Sequence, residues 1–129
     1  MFKKDESPMI FAGLWNDWAD HVTGEIVNTF SIVTTTANPL IAKIHNNPKL
    51  EGPRMPVILE EEYASQWLKA INSDSDRQYV SSLLQPFNAD KMDAYTVGAL
   101  RGKNATGNVP ESISKVIYPE LDFNQPSLF

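Results

Sequence analysis

A chain of 129 residues with 42% hydrophobic side chains falls in the range of one ordinary globular domain able to bury a core. Its formal charge of −5 and pI near 4.9 exclude the strong basic field that advertises a nucleic-acid partner, so any DNA contact has to be local. With no cysteine there is no disulfide framework, thiolate metal site or thiol nucleophile, and a cytoplasmic location fits best.

Met9 to Trp15 is a compact apolar run that reads as a buried strand, with Gly13 permitting a bulge or close approach. Asn16 to Gly24 is polar and reads as a connection. Glu25 to Thr36 is dense in β-branched residues and predicts one long strand with Phe30, Ile32, Thr34 and Thr36 on one face. Asn38 followed by Pro39 predicts a capped helix start, with Leu40, Ile41 and Ile44 as its apolar stripe and His45 in its last turn.

Two prolines and a glycine make Asn46 to Pro53 an exposed loop, after which Met55 to Leu59 predicts a short strand. Glu60, Glu61 and Glu62 suit the positive end of a helix whose stripe is Leu59, Tyr63, Trp67 and Ile71. The caps in Ser73 to Asp76 predict another helix through Val80, Leu83 and Leu84, stopped near Pro86. Strands are expected over Asp93 to Gly98 and Ser114 to Tyr118, with a loop from Gly98 to Pro110 between them. The pattern is α+β, a single domain over residues 1–129. No run approaches the ~20 apolar residues of a membrane helix, and the N-terminal run lacks a signal-peptide pattern, so an unexported soluble protein is expected.

His45 is the best single candidate for chemistry, because histidine can give or take a proton near neutral pH. The bland alternative is a residue that caps the helix or bonds a loop carbonyl. Arg54, between a loop and a strand, has a guanidinium suited to holding a phosphate through two parallel hydrogen bonds, or equally to pairing with a carboxylate. His21 reads as surface. Trp15 and Trp67 read as core, and Trp18 as the most open of the three tryptophans. No Gly-rich phosphate loop or paired-histidine spacing is present, so no metal and no cofactor is expected.

Five blocks together resemble the SOS-response-associated peptidase family, also called abasic site processing proteins. They are Phe11 to Trp15, Ile32 to Asn38, Ile44-His45, Arg54 to Leu59 and Trp67-Leu68. The resemblance implies a barrel-type sheet with flanking helices and a protein that links covalently to abasic sites in single-stranded DNA. In that family a cysteine exposed at position 2 supplies an amine and a thiol, which close a thiazolidine ring on the sugar aldehyde, and an asparagine, a glutamate and a histidine complete the site. The histidine maps onto His45 and the flanking arginine onto Arg54. The family name also implies a peptidase that removes its own N-terminal residues.

Position 2 here is Phe2, and the family's Asn-Ala-Arg and Gly-(Phe/Tyr)-x-Glu-Trp blocks are absent. The expectation is the C-terminal portion of the family fold, its N-terminal half lying outside this chain, and a chain that does not crosslink DNA alone. The alternative is a non-catalytic module that binds single-stranded DNA or a complementary N-terminal half. Exposed strand edges would also favour a homo-oligomer. The segment from Asn46 to Pro53 separates His45 from Arg54 more widely than in other members; it is expected to bulge into solvent and leave both in place.

Overall fold

Three stretches of chain meet at three residues, and this meeting organises the computed structural model, which describes residues 1–45, 49, 51–103, 105 and 107–119. Backbone packing divides the chain into two units, residues 2–93 and a second made of Met1 with 94–129.

In the first unit the strands are β1 (Phe2–Lys3), β2 (Ile10–Phe11), β3 (Gly13–Ala19), β4 (Ile26–Ile32), β5 (Thr34–Thr36), β6 (Arg54–Pro56), β7 (Ile58–Leu59) and β8 (Met92–Asp93). All pair antiparallel, as four two-stranded ladders: β1 with β8, β2 with β7, β3 with β4, and β5 with β6. Single residues separate β2 from β3, β4 from β5, and β6 from β7. These are Ala12, Val33 and Val57. Val33 donates its N–H to the Ala12 carbonyl, Ala12 to the Val57 carbonyl and Val57 to the Val33 carbonyl, each at 2.9 Å. Three extended segments therefore exchange partners at one point, and a closed ring of backbone hydrogen bonds satisfies the groups that each exchange would otherwise orphan. Ala12 and Val57 are both 0% exposed, so water could not have satisfied them.

Two apolar clusters flank this junction. Ala12, Val57 and Leu59 pack with Ile10, Val33, Trp67, Leu83 and Leu84 on one side. Ile41, Met55, Ile58, Phe87 and Met92 form the other, with Met9, Ala37 and Leu40 against them. Val57, Ile58 and Leu59 alternate between the two clusters, while Met55, two residues before Val57, joins the cluster of Ile58, so the alternation slips by one residue where β6 gives way to β7.

The helices are α1 (Pro39–Ile44), α2 (Glu61–Trp67) and α3 (Asp74–Ser82). Asn38 caps α1 as the Asn-Pro pair predicts, its Oδ1 accepting from the Ile41 N–H at 2.9 Å. Ser73 caps α3 by accepting from the Asp76 N–H at 3.2 Å, while its hydroxyl donates to Asp76 Oδ2 at 2.7 Å. That hydroxyl, together with the Asn72 N–H, holds the Asp76 carboxyl below the usual carboxylate range of 3.8. A carboxylate with a depressed folded pKa stabilises above its unfolded value and loses that contribution as pH falls through the folded one. Fraying of α3 at its N-terminus is therefore expected below about pH 4, read from amide exchange of Asp76 and Arg77, and Asp76→Asn should abolish the pH dependence.

Several sequence expectations need correction. The segment Asn16 to Ala19, expected in a connection, continues β3, because each of its residues finds a partner in β4 from Ile26 to Thr29. Asn28 Nδ2 donates to Asp17 Oδ1 across that ladder, and Thr29 Oγ1 to the Asn16 carbonyl at 2.8 Å, so polar residues are accommodated by cross-strand bonds. The turn beyond it is an Asx type: Asp20 Oδ1 accepts from the Val22 and Thr23 N–H groups, and Gly24 takes a φ of +74°. The long strand expected over Glu25 to Thr36 is divided at Val33. The stripe of α2 stops at Trp67, leaving Ile71 beyond the helix and exposed. Trp15, expected in the core, is 77% exposed and more open than Trp18.

In the second unit the two expected strands reduce to one isolated antiparallel bridge, Val97 with Lys115. Val116 N–H bonds the Thr96 carbonyl at 2.9 Å beside it. The loop expected over Asn46 to Pro53 lies partly outside the described residues, and with it the expectation that this segment bulges into solvent; so does the tail beyond residue 119. Among the described residues the architecture is mixed α and β, built from short paired strands and short helices, and no helix is long and apolar enough to cross a membrane.

Candidate functional site

The two residues singled out by sequence stand on consecutive elements that one buried amide ties together. Asn38 is 5% exposed. Besides capping α1, it donates from Nδ2 to the Phe87 carbonyl at 2.8 Å, with the Met92 thioether 3.3 Å from the same nitrogen. Its own N–H points at the Met55 sulfur, 3.3 Å away. The side chain thus joins the start of α1 to the Phe87 loop and β8, and the backbone N–H adds β6. Removing the side chain would leave a buried carbonyl and the first turn of α1 without donors or acceptors.

From that fixed start α1 runs six residues, ~9 Å at the usual rise, and ends at His45. His45 is the C-cap. Its N–H bonds the Ile41 carbonyl at 2.8 Å, and the side chain is exposed. The capping alternative is therefore met by the backbone of His45, which leaves the imidazole uncommitted to that task.

Arg54 opens β6, directly opposite Thr36 of β5. The Ala37 N–H bonds the Pro53 carbonyl at 3.0 Å, so the strand bearing Arg54 is secured where the chain turns into α1. The guanidinium itself is held by Thr34: Nε donates to Thr34 Oγ1 at 3.0 Å and Nη2 to the Thr34 carbonyl at 2.8 Å. Neutral oxygens take one edge of the fork. Lys3 pairs with Asp5 and Lys91 with Glu60, away from Arg54. Arg54 is exposed, and the groups that hold it are uncharged.

Sequence reasoning placed Thr34 on a strand face without giving it a role toward Arg54, and saw Asn38 as a cap. Thr34 had one available signal: a threonine run facing the Arg-Met-Pro segment would put hydroxyls beside the arginine once the two were paired. The pairing itself, across about twenty residues, is not written in either segment. His21 lies exposed in the turn between β3 and β4, as expected of a surface residue.

A concavity of about 330 Å³ lies between α2, α3 and the Phe87 loop, lined by residues that include Glu60, Tyr63, Tyr79 and Asn88. It contains neither His45 nor Arg54. Glu60 at its rim is engaged by Lys91 Nζ at 2.6 Å, and this contact holds the Lys91 ammonium above its ordinary value.

The family described as SOS response associated peptidase (SRAP) matches residues 1–103. The abasic site processing protein YoqW of Bacillus subtilis (strain 168) is 40% identical over 110 residues, which cover 85% of this chain and 44% of YoqW. YoaM of the same organism, also named an abasic site processing protein, is 38% identical over 97 residues, 75% of this chain and 38% of YoaM. A crystal structure of a Bacteroides thetaiotaomicron protein superposes with a TM-score of 0.69 at 36% identity, covering 89% of this chain and 46% of that one. The chain spans less than half the length of the curated relatives it matches. On the match over residues 1–103, the chain belongs to the SOS response associated peptidase family.

Proposed function

We propose that this chain is the strand-contacting portion of an abasic-site processing activity on single-stranded DNA, with Arg54 holding a backbone phosphate and His45 exchanging a proton beside the sugar. The observation that carries this reading is the Thr34 clamp on Arg54. It orders an exposed guanidinium without neutralising it, at the foot of the helix that ends in His45. A net charge of −5 does not oppose a contact made by one ordered arginine at short range, although it makes binding salt-sensitive.

The covalent step belongs to further polypeptide. Thiazolidine closure needs an amine and a thiol on adjacent carbons: the amine and the sugar aldehyde lose water to an imine, and the thiol adds across it. This chain contains no cysteine, and imidazole cannot replace both groups. The same absence argues against assigning the peptidase activity to this chain. In this reading the three-segment junction is part of a barrel-type sheet whose other strands come from the polypeptide that relatives carry outside the match. The closest competing reading, a module that binds single strands without any chemistry, draws on the same missing thiol.

Denaturing electrophoresis with single strands carrying or lacking an abasic site tests the proposal. This chain alone is expected to give no adduct. Mixed with the part of YoqW that lies outside the match, it is expected to give one on abasic strands only, more slowly with His45→Ala. A stable adduct from this chain alone would overturn the assignment of the nucleophile elsewhere. A reconstituted mixture indifferent to the abasic site would leave the non-catalytic module as the better description.

A further inference from the structure

The hairpin of β3 and β4 exposes large apolar side chains on both of its faces. Every residue of both strands is exposed. Directly opposed residues share a face, so the register assigns Trp15, Phe30, Ile26 and Ile32 to one side, around the Asp17–Asn28 pair, and Leu14, Trp18 and Val27 to the other, interleaved with Asn16, Thr29 and Ser31. Phe30 is 83% exposed. The only charged side chain between the ends is Asp17, and it accepts a hydrogen bond from Asn28. A solvated antiparallel ribbon keeps its large apolar side chains on one face, whereas one that exposes tryptophans and aliphatic residues on both has surface to bury on each side. At its root the ribbon is anchored by Trp67 Nε1, which donates to the Gly13 carbonyl at 3.0 Å, and by the buried junction, so its direction is fixed.

We propose that this ribbon is the docking element for the polypeptide that SRAP relatives carry outside the matched region, which packs on both faces of the ribbon and brings its own chemistry to His45 and Arg54. The proposal rests on the functional reading above for what the partner contributes, and on the ribbon alone for where it binds. Two features select this occupant over a second copy of the chain. Opposed ribbons in a two-fold dimer cover one face each and leave the other wet. In the Bacteroides thetaiotaomicron structure, moreover, more than half of the chain lies outside the match, enough to wrap both faces. Aromatic side chains bury roughly 150–250 Å² each. Trp15, Trp18 and Phe30, with the aliphatic residues around them, therefore approach the ~800 Å² per partner of a stable interface.

The test omits DNA, so that its failure and that of the functional reading are distinguishable. This chain is mixed with the part of YoqW outside the match and followed by light scattering after gel filtration and by tryptophan emission. A one-to-one complex is expected, with emission moved to shorter wavelength as Trp15 and Trp18 leave water. Trp15→Ser combined with Phe30→Ser should weaken the complex at least tenfold, whereas Val22→Ser, in the exposed turn at the tip, should leave it unchanged. Because cross-species affinity is demanding, a chimera in which this chain replaces the matched segment of YoqW gives a second measurement: acrylamide quenching of its tryptophans is expected to fall severalfold relative to this chain alone. Unchanged quenching in the chimera would overturn the proposal. So would a complex indifferent to the Trp15 and Phe30 substitutions, or a homodimer of this chain that itself buries both tryptophans.

Discussion

Val57→Pro is expected to destabilise the residue 2–93 unit by about 2–4 kcal/mol, about 1 kcal/mol more than shortening the same side chain. Proline removes the N–H that Val57 gives to the Val33 carbonyl, and that carbonyl sits in a junction from which water is excluded. An unsatisfied buried acceptor costs ~1–3 kcal/mol, and the ring adds steric strain at a residue with no exposed surface. The damage should spread, because the three hydrogen bonds form a ring in which each residue both donates and accepts. Opening one bond frees β4, β5, β6 and β7 from their common point. Against a typical total stability of ~5–15 kcal/mol, this is enough to populate the unfolded state visibly.

Val57→Ala separates the two causes. It keeps the N–H and deletes two methyl groups from the cluster with Ala12 and Leu59, a loss of roughly 1–3 kcal/mol with its cavity. Urea unfolding of both variants followed by far-ultraviolet circular dichroism is the measurement. Equal midpoints for proline and alanine would mean that the ring of backbone bonds contributes nothing beyond the side chain.

The junction also marks where sequence reasoning reaches its end. Helix starts are local. Asn38 with Pro39, and Ser73 with Asp76, specify α1 and α3 through groups two or three residues apart, and the structure bears them out. Strand partners are not local. The run Glu25 to Thr36 has uniform β propensity, and nothing in it announces that Val33 leaves one partner for another; that choice depends on Ala12 and Val57, some twenty residues away on either side. Asn16 to Ala19 was masked by polarity that cross-strand bonds absorb. Phe2–Lys3 and Met92–Asp93 are too short for any periodicity to register.

Trp15 illustrates a different gap. Apolar neighbours in sequence raised the expectation of burial, but burial is decided by what packs on the ribbon. The candidate site was half legible. His45 and Arg54 stood out by residue type and by resemblance; the helix that ends at His45 was placed correctly, whereas the single strand expected over Met55 to Leu59 begins at Arg54 and divides at Val57. Their supports did not stand out, since Thr34 acts on Arg54 from twenty residues upstream and Asn38 reaches Phe87 and Met92 across about fifty.

Arg54→Ala is expected to weaken the binding of single-stranded DNA by about ten- to a hundredfold, the range that a charge-assisted hydrogen bond of ~1.5–3 kcal/mol represents. The salt dependence should identify the contact as a phosphate. Each phosphate neutralised on a single strand contributes ~0.7 to the slope of log K against log salt, so the alanine variant should lose about that much. Arg54→Lys keeps the charge but cannot hold Thr34 and a phosphate at once; it should lose affinity while keeping the slope. Thr34→Val removes the hydroxyl that accepts from Nε and leaves the carbonyl that accepts from Nη2. It should therefore cost less than Arg54→Ala and also keep the slope, since the guanidinium is loosened without being removed. Fluorescence anisotropy of a labelled strand at several salt concentrations reads all three variants. An alanine variant with the parental slope would exclude Arg54 as the phosphate contact and reduce the Thr34 clamp to a structural tie between β5 and β6.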